Sequence, residues 1–244
     1  EAYQKIGNYD YIESGIGLRT NNSSVGPCAA ATNSSAGTLS VSLPAGQSVD
    51  KAFLYWGGSR TSADTNANLQ VNGGTATAVT GTAHTTTFTA GTTSLSYYLS
   101  VADITSQLQG NGENLTLNVS GIATDGSNTY AAFCAAAAHM GIVVVHTTDS
   151  AISEPRAVFI SHGLESSRNS SVSNTYSNLP PSATVADARA TIWAVEGDSG
   201  LAGDESLTVN GIDQGVIWDQ GDNNTGRSFE VRQVSPNVSS GSTE

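Results

Sequence analysis

VDKAFLYW, residues 49–56, is the stretch whose pattern decides the fold. In a strand, successive side chains point to opposite faces, so Lys51, Phe53 and Tyr55 share one face, and Ala52, Leu54 and Trp56 share the other. From Ala52 to Trp56 every position is apolar. A strand that is apolar on both faces belongs in the middle of a sheet rather than at its rim. Ile142-Val143-Val144-Val145 is a second continuous apolar run and predicts another strand buried on both sides.

Outward from these two runs, helical periodicity is almost absent. Short β-branched and aromatic runs recur about every ten residues between Gly, Asn and Asp, the pattern of a sandwich or barrel. The expected strands are Thr38–Leu43, Val49–Trp56, Asn68–Val71, Ser94–Ser100, Leu115–Ile122, Gly141–Thr147, Arg156–His162, Ala188–Glu196, Ser206–Val209, Gly215–Trp218 and Ser228–Val234. Val71-Asn72-Gly73 and Val209-Asn210-Gly211 each place Asn-Gly behind a short strand, a strong tight-hairpin signal. Val101–Leu108 is the one stretch that reads as a helical turn, with Ser100 or Asp103 as its cap. Residues 161–187, Ser- and Asn-rich, read as a long irregular loop. The expected fold is all-β: an antiparallel β-sandwich of jelly-roll or Ig-like kind. It forms a single domain over residues 20–234, with an extended N-terminal segment over 1–19 and a polar tail over 235–244.

With 244 residues the chain can bury a sizeable core without staples. Nine Lys and Arg against 21 Asp and Glu give a net charge of -12. That balance argues against a nucleic-acid partner, because phosphate neutralisation needs clustered cations. No apolar run is long enough to span a membrane as a helix. Glu1 stands first, without an apolar leader, as expected of a secreted chain whose signal peptide has been removed. Cys28 and Cys134 are expected to form one disulfide in an oxidising compartment, worth at most ~4–5 kcal/mol in the chain-entropy account; two buried free thiols are the alternative.

Three chemistries compete for the polar residues. Ala137-Ala138-His139 and Gly197-Asp198-Ser199-Gly200 look like the base and nucleophile segments of trypsin-like proteases. The two lie too close along the chain for that double barrel, and Leu201-Ala202 replaces the Gly and Pro of the oxyanion loop. Glu196, Asp198, Asp204 and Glu205 crowd one glycine-rich turn and could ligate calcium, the only cofactor the sequence suggests; a solvated acidic turn is the plainer alternative. Lys51, sharing a face with Phe53 and Tyr55, is the candidate for an isopeptide bond to a carboxylate or amide, with no visible partner. Trp56, Trp193 and Trp218 end apolar runs and read as core, and His84, His146 and His162 are scattered singly.

Six blocks carry a family likeness. Ser48–Gly58 ends in an apolar-Tyr-Trp-Gly-Gly strand; Val71-Asn72-Gly73, Ala102–Thr105 and Val143–Val145 follow; Arg156–Gly163 and Glu196–Gly211 complete the order. Together they resemble a β-sandwich domain of large secreted surface proteins of bacteria and archaea, adhesin-like modules often placed ahead of Ig-like stalk repeats. The resemblance implies a non-enzymatic extracellular module with no catalytic residues to carry over. Such proteins usually continue beyond this point, so the expectation is a self-assembling subunit of a surface filament, sheath or layer, a homo-oligomer or polymer. Tyr3, Ile6, Tyr9, Tyr11, Ile12 and Ile16 are the expected assembly residues, on a strand donated to a neighbour's free edge; pairing within its own sandwich is the alternative. A calcium-dependent module binding a cell-surface glycan or protein is the runner-up function, and a hydrolase the third.

Overall fold

The computed structural model describes residues 2–18, 34–90, 93–123, 138–151, 155–166, 171–175, 189–195, 206–209, 211–216 and 229–235. Two N-terminal strands, β1 (Tyr3–Gly7) and β2 (Tyr9–Gly17), come first, then β3 (Ala36–Ser42) and the long β4 (Val49–Ser59). β5 (Asn66–Val71), β6 (Thr77–Thr80), β7 (Thr82–Ala90) and β8 (Thr93–Asp103) follow as successive hairpins. After one helical turn, α1 (Thr105–Leu108), come β9 (Asn114–Ser120), β10 (Ala138–Thr147) and β11 (Arg156–Ile160). The C-terminal third contributes β12 (Ala190–Val195), β13 (Ser206–Val209), β14 (Ile212–Val216) and β15 (Phe229–Val234).

The fold is all-β, and its pairings are antiparallel. A five-stranded sheet runs β2-β10-β4-β8-β7, and a four-stranded sheet runs β3-β9-β5-β6. The stretch 49–56 is therefore the central strand of the larger sheet, flanked by the other run that is apolar on both faces. Its even positions Ala52, Leu54 and Trp56 join Met140, Ile142 and Val144 of β10 in the main core. Leu39, Val41, Leu69, Leu115, Leu117 and Val119 meet them from the four-stranded sheet. The odd positions Phe53 and Tyr55 face the other way, into a second cluster with Leu99, Val101, Val145, Val158 and Ile160. That second face is covered by the β1–β11 ribbon, by the segment carrying Leu164, and by Trp193 of β12. The central sheet is thus packed on both sides, and each fully buried Leu or Ile contributes about 1.5–3 kcal/mol relative to exposure.

A break in register reconciles the two faces. Lys51 pairs with Val145, but Val49 pairs with His146, so Asp50 is an extra residue in β4. Strict alternation would put Val49 on the face of Phe53. The bulge returns Val49 to the main core while Asp50 and Lys51 both reach partners on the second face.

Antiparallel pairs form around both Asn-Gly positions. Asn72 (φ 49°) and Gly73 (φ 74°) are the central pair of a tight turn closed by Gly74 N–H donating to Val71 O at 2.9 Å. Val209 pairs with Ile212 across the second turn, where Gly211 has φ 74°. Three expectations need correction. β6 and β7 were not anticipated, because Thr-rich strands without alternating large apolar residues give little periodic signal. Val101–Asp103 belong to β8 rather than to a helix, since pairing with β4 and β7 outweighs the weak local preference for a turn. Asp103 still acts near that turn: its Oδ1 accepts the Thr105 N–H at 3.0 Å. The strand expected over Gly215–Trp218 instead begins at Ile212, directly behind the turn.

The N-terminal segment is built into the chain's own sheets. β2 pairs with β10 over nine positions from Tyr9–Thr147 to Gly17–His139, and β1 pairs with β11. Ile12 and Ile16 pack on the main core, and Tyr3, Tyr9 and Tyr11 on the second cluster, while Ile6 is 60% exposed. Among the described residues no helix is long and apolar enough to cross a membrane.

Candidate functional site

The second face of the central sheet gathers Tyr3, Tyr9, Tyr11, Phe53, Tyr55 and Trp193 together with the charged side chains of Asp50 and Lys51. Asp50, pushed onto this face by the bulge, accepts hydrogen bonds from the Tyr3 hydroxyl and from Lys5 Nζ, the latter at 2.7 Å. Burial alone would raise its carboxyl, but the bonds from Lys5 and Tyr3 and the nearby Lys51 charge outweigh that and hold it below its usual value. The Tyr3 phenol moves upward, through burial and its bond to Asp50. Lys51, next along β4, reaches Asp103 Oδ2 at 2.5 Å and lies 5.4 Å from the Phe53 ring centre. Asp103 is likewise held low: bonds from Lys51 and Thr105 exceed the upward push of burial.

Beyond the charges lies an aromatic cluster. His162 meets Phe53 edge-on at 4.7 Å and Tyr55 at 5.3 Å between ring centres, and its Nε2 shares a 2.9 Å hydrogen bond with the Tyr55 hydroxyl. Trp193 also packs edge-on against Tyr55, at 4.6 Å between ring centres. Such edge-to-face pairs add about 0.5–1.5 kcal/mol each beyond area burial. Burial, with His84 nearby, lowers His162 to about 4, so this imidazole is neutral at pH 7. Beside the cluster, Ala2, Phe53, Thr82, His84, Asp103 and His162 line a cavity of about 420 Å³. At the other end of the face, Arg189 and Arg156 both bond Asp10, Arg189 stacks 4.2 Å above the Tyr11 ring, and Tyr11 OH meets Thr191 at 2.9 Å. These contacts hold the β12–β15 ribbon on β2.

The remaining observation is the match along the whole chain. The chain belongs to the DUF3344 family. That family is described as a protein of unknown function, and its match runs over residues 4–244. It therefore takes in nearly all of β1, all of β2 and the C-terminal tail as well as the six motif blocks. No curated protein and no solved structure matches.

Within this DUF3344 chain the sequence candidates fall as follows. Glu196, Asp198, Asp204, Glu205, Ser199, Cys28, Cys134 and Trp218 lie outside the described residues. Among the described residues no group of three or more His, Asp or Glu side chains is placed to hold a metal. His139 is 3% exposed, its imidazole lying against Gly57 of β4, and burial lowers it to about 4. Lys51 has found the carboxylate it lacked in the sequence, Asp103 on the adjacent strand. Amide formation needs a neutral amine and a protonated acid, whereas Asp103 is held ionised and its side chain is 49% exposed, so the pair is an ion pair. Trp56 is core, as expected, with Nε1–H donating to Asp64 O at 2.9 Å.

Sequence reasoning missed His162 and Asp103. Both lie far from Phe53 along the chain, and only the Lys51-x-Phe53-x-Tyr55 alternation marked the face they join.

Proposed function

We propose that this chain is a non-enzymatic, extracellular structural protein that assembles with copies of itself at a cell surface by β-strand addition. One observation carries the reading. The central sheet ends on β7, a nine-residue strand paired with β8 along one side and, among the described residues, with no strand along the other. A strand edge offers a row of unsatisfied backbone donors and acceptors, and proteins that stay monomeric blunt such edges with lysine, proline, bulges or short length. β7 has none of the four: no Lys, no Pro, an uninterrupted register and nine residues.

The N-terminal segment, the donor expected from sequence, is spent on its own β10 and β11. Donation to a neighbour would then require exchange of the segment between copies, with the same pairs remade across the contact. Size-exclusion with light scattering over a concentration series, beside negative-stain electron microscopy of the full chain, tests the reading. Filaments, layers or a mass that climbs with concentration supports it, and a monomer at every concentration overturns it.

A second reading, an adhesive module for a surface glycan, is favoured by the cavity of about 420 Å³ beside Phe53 and His162. Its size suits a small ligand. Glycan-array binding lost on His162→Ala would favour that reading, and a blank array would retire it.

A further inference from the structure

We infer that the occupant of the β7 edge is β7 of a second copy, paired antiparallel about a two-fold axis with Thr86 opposite Thr86. The inference rests on the self-assembly reading above and names its contact.

The other edges of the two larger sheets are less suited. At the C-terminal end of β2, Leu18 N–H continues the pairing to Ala138 O of β10, while Leu18 O accepts from Ser34 N–H, just ahead of β3 of the opposite sheet. Its second face carries Arg189 and Thr191 of the β12 region. β6 is four residues long. β3 packs beside β2, where an added carbon on Gly37 would lie 2.5 Å from Met140 and 2.8 Å from Ile16. β7 is long and regular and has no described strand along its free side, and its second-face tie, Thr86 Oγ1 to Ser166 Oγ at 2.9 Å, is between side chains.

Charge selects the partner. With a net charge of -12, two copies repel wherever their acidic surfaces approach. β7, with sequence TAHTTTFTA, holds none of the 21 acidic or nine basic residues. An uncharged strand is one along which two like-charged copies can meet at least electrostatic cost. The strand is also self-complementary. With Thr86 on the axis, all nine positions find partners, Thr85 faces Thr87 twice, and Thr82 faces Ala90 twice. Thr85 and Thr87 are exposed and lie on one face of the strand, and Thr–Thr cross-strand pairs are favourable. Two five-stranded sheets would join into one continuous sheet through this contact. An isologous contact closes on itself, so β7 supplies a dimer, and any longer polymer needs a second surface.

The register makes a sharp test. The double variant T85K/T87K sets like charges directly opposite one another twice across the axis. T85K/T87E puts the same number of charges on the same exposed positions but makes each opposed pair attractive. Sedimentation equilibrium of the full chain should show dimerisation weakened about tenfold or more in T85K/T87K and retained in T85K/T87E. Hydrogen exchange of the unaltered chain provides a readout that needs no variant: protection of β7 amides should rise with protein concentration. Self-association that ignores T85K/T87K, or that falls equally in both variants, overturns the β7 pairing and leaves the assembly reading standing. So does β7 protection that stays flat while mass increases. An unaltered chain that stays monomeric overturns both.

Discussion

His139 gives the fold a pH dependence that can be worked out from its surroundings. The residue sits on β10 opposite Gly57, 3% exposed, and burial lowers its folded value from 6.5 to about 4. Between those values the unfolded chain binds the proton and the folded chain does not. Acidification therefore favours unfolding: the stabilisation is complete above about pH 6.5 and is lost as pH falls toward 4. With those two values, linkage gives a loss of about 2 kcal/mol from this group between pH 7 and pH 5. For a chain of this size that corresponds to a fall in Tm of about 4–8 °C. His162, half-buried and lowered in the same direction by burial and His84, adds a smaller contribution of the same sign. Asp50 and Asp103, held low, begin to lose stabilisation only at more acid pH. Urea unfolding at pH 7 and pH 5, with the full chain and with H139Q, isolates the effect, because glutamine does not titrate. The loss between the two pH values should be about 2 kcal/mol smaller in H139Q, whatever that substitution does to stability at pH 7. A nuclear magnetic resonance titration of the His139 ring should meanwhile show no protonation above about pH 5. Equal pH slopes for the two chains, or a midpoint near 6.5, would sink the reasoning.

Other perturbations follow from the packing. Gly57→Ala would drive its new carbon into Tyr98 O and the His139 ring; a loss of about 1–3 kcal/mol in urea unfolding is expected, and a neutral result would mean that β4 and β8 can separate freely. Leu117→Ala, at a fully buried site between the sheets, should cost about 2–5 kcal/mol, whereas Ile6→Ser on the exposed side of β1 should stay within about 0.5 kcal/mol. If Ile6→Ser abolishes assembly without touching stability, the N-terminal segment takes part in the contact between copies. Asp50→Ala removes the shared partner of Tyr3 and Lys5; amide exchange in β1 should accelerate while that in β9 does not, and uniform acceleration would deny the local role.

The residues that could be read from sequence are those whose signal is local. Ala52–Trp56 and Ile142–Val145 announced a sheet covered on both faces because burial on two sides leaves no polar position in the run. Asn72-Gly73 and Gly211 announced hairpins because positive φ narrows the choice of residue. β7 stayed hidden for a physical reason: threonine suits a strand through its branched carbon yet is polar enough to sit at an exposed edge, so no alternation betrays it. The second face was legible in part, through Lys51, Phe53 and Tyr55. Its partners were not, because Asp103 on β8 and His162 just beyond β11 lie far from it along the chain, and contact at long sequence separation leaves no trace in spacing.

The bulge at Asp50 links these scales. A single extra residue in β4 keeps Val49 in the main core and places two consecutive charged side chains, Asp50 and Lys51, on the same face. Asp50 then binds β1 through Tyr3 and Lys5, and Lys51 binds β8 through Asp103. The N-terminal strand is therefore held over the aromatic cluster by an ion pair and a phenol hydrogen bond as well as by backbone pairing. Partly exposed charge pairs of this kind are worth about 1 kcal/mol or less each and weaken with salt. Release of these polar contacts at high ionic strength would loosen β1 over Phe53, whose ring Tyr3 meets edge-on at 6.4 Å between centres.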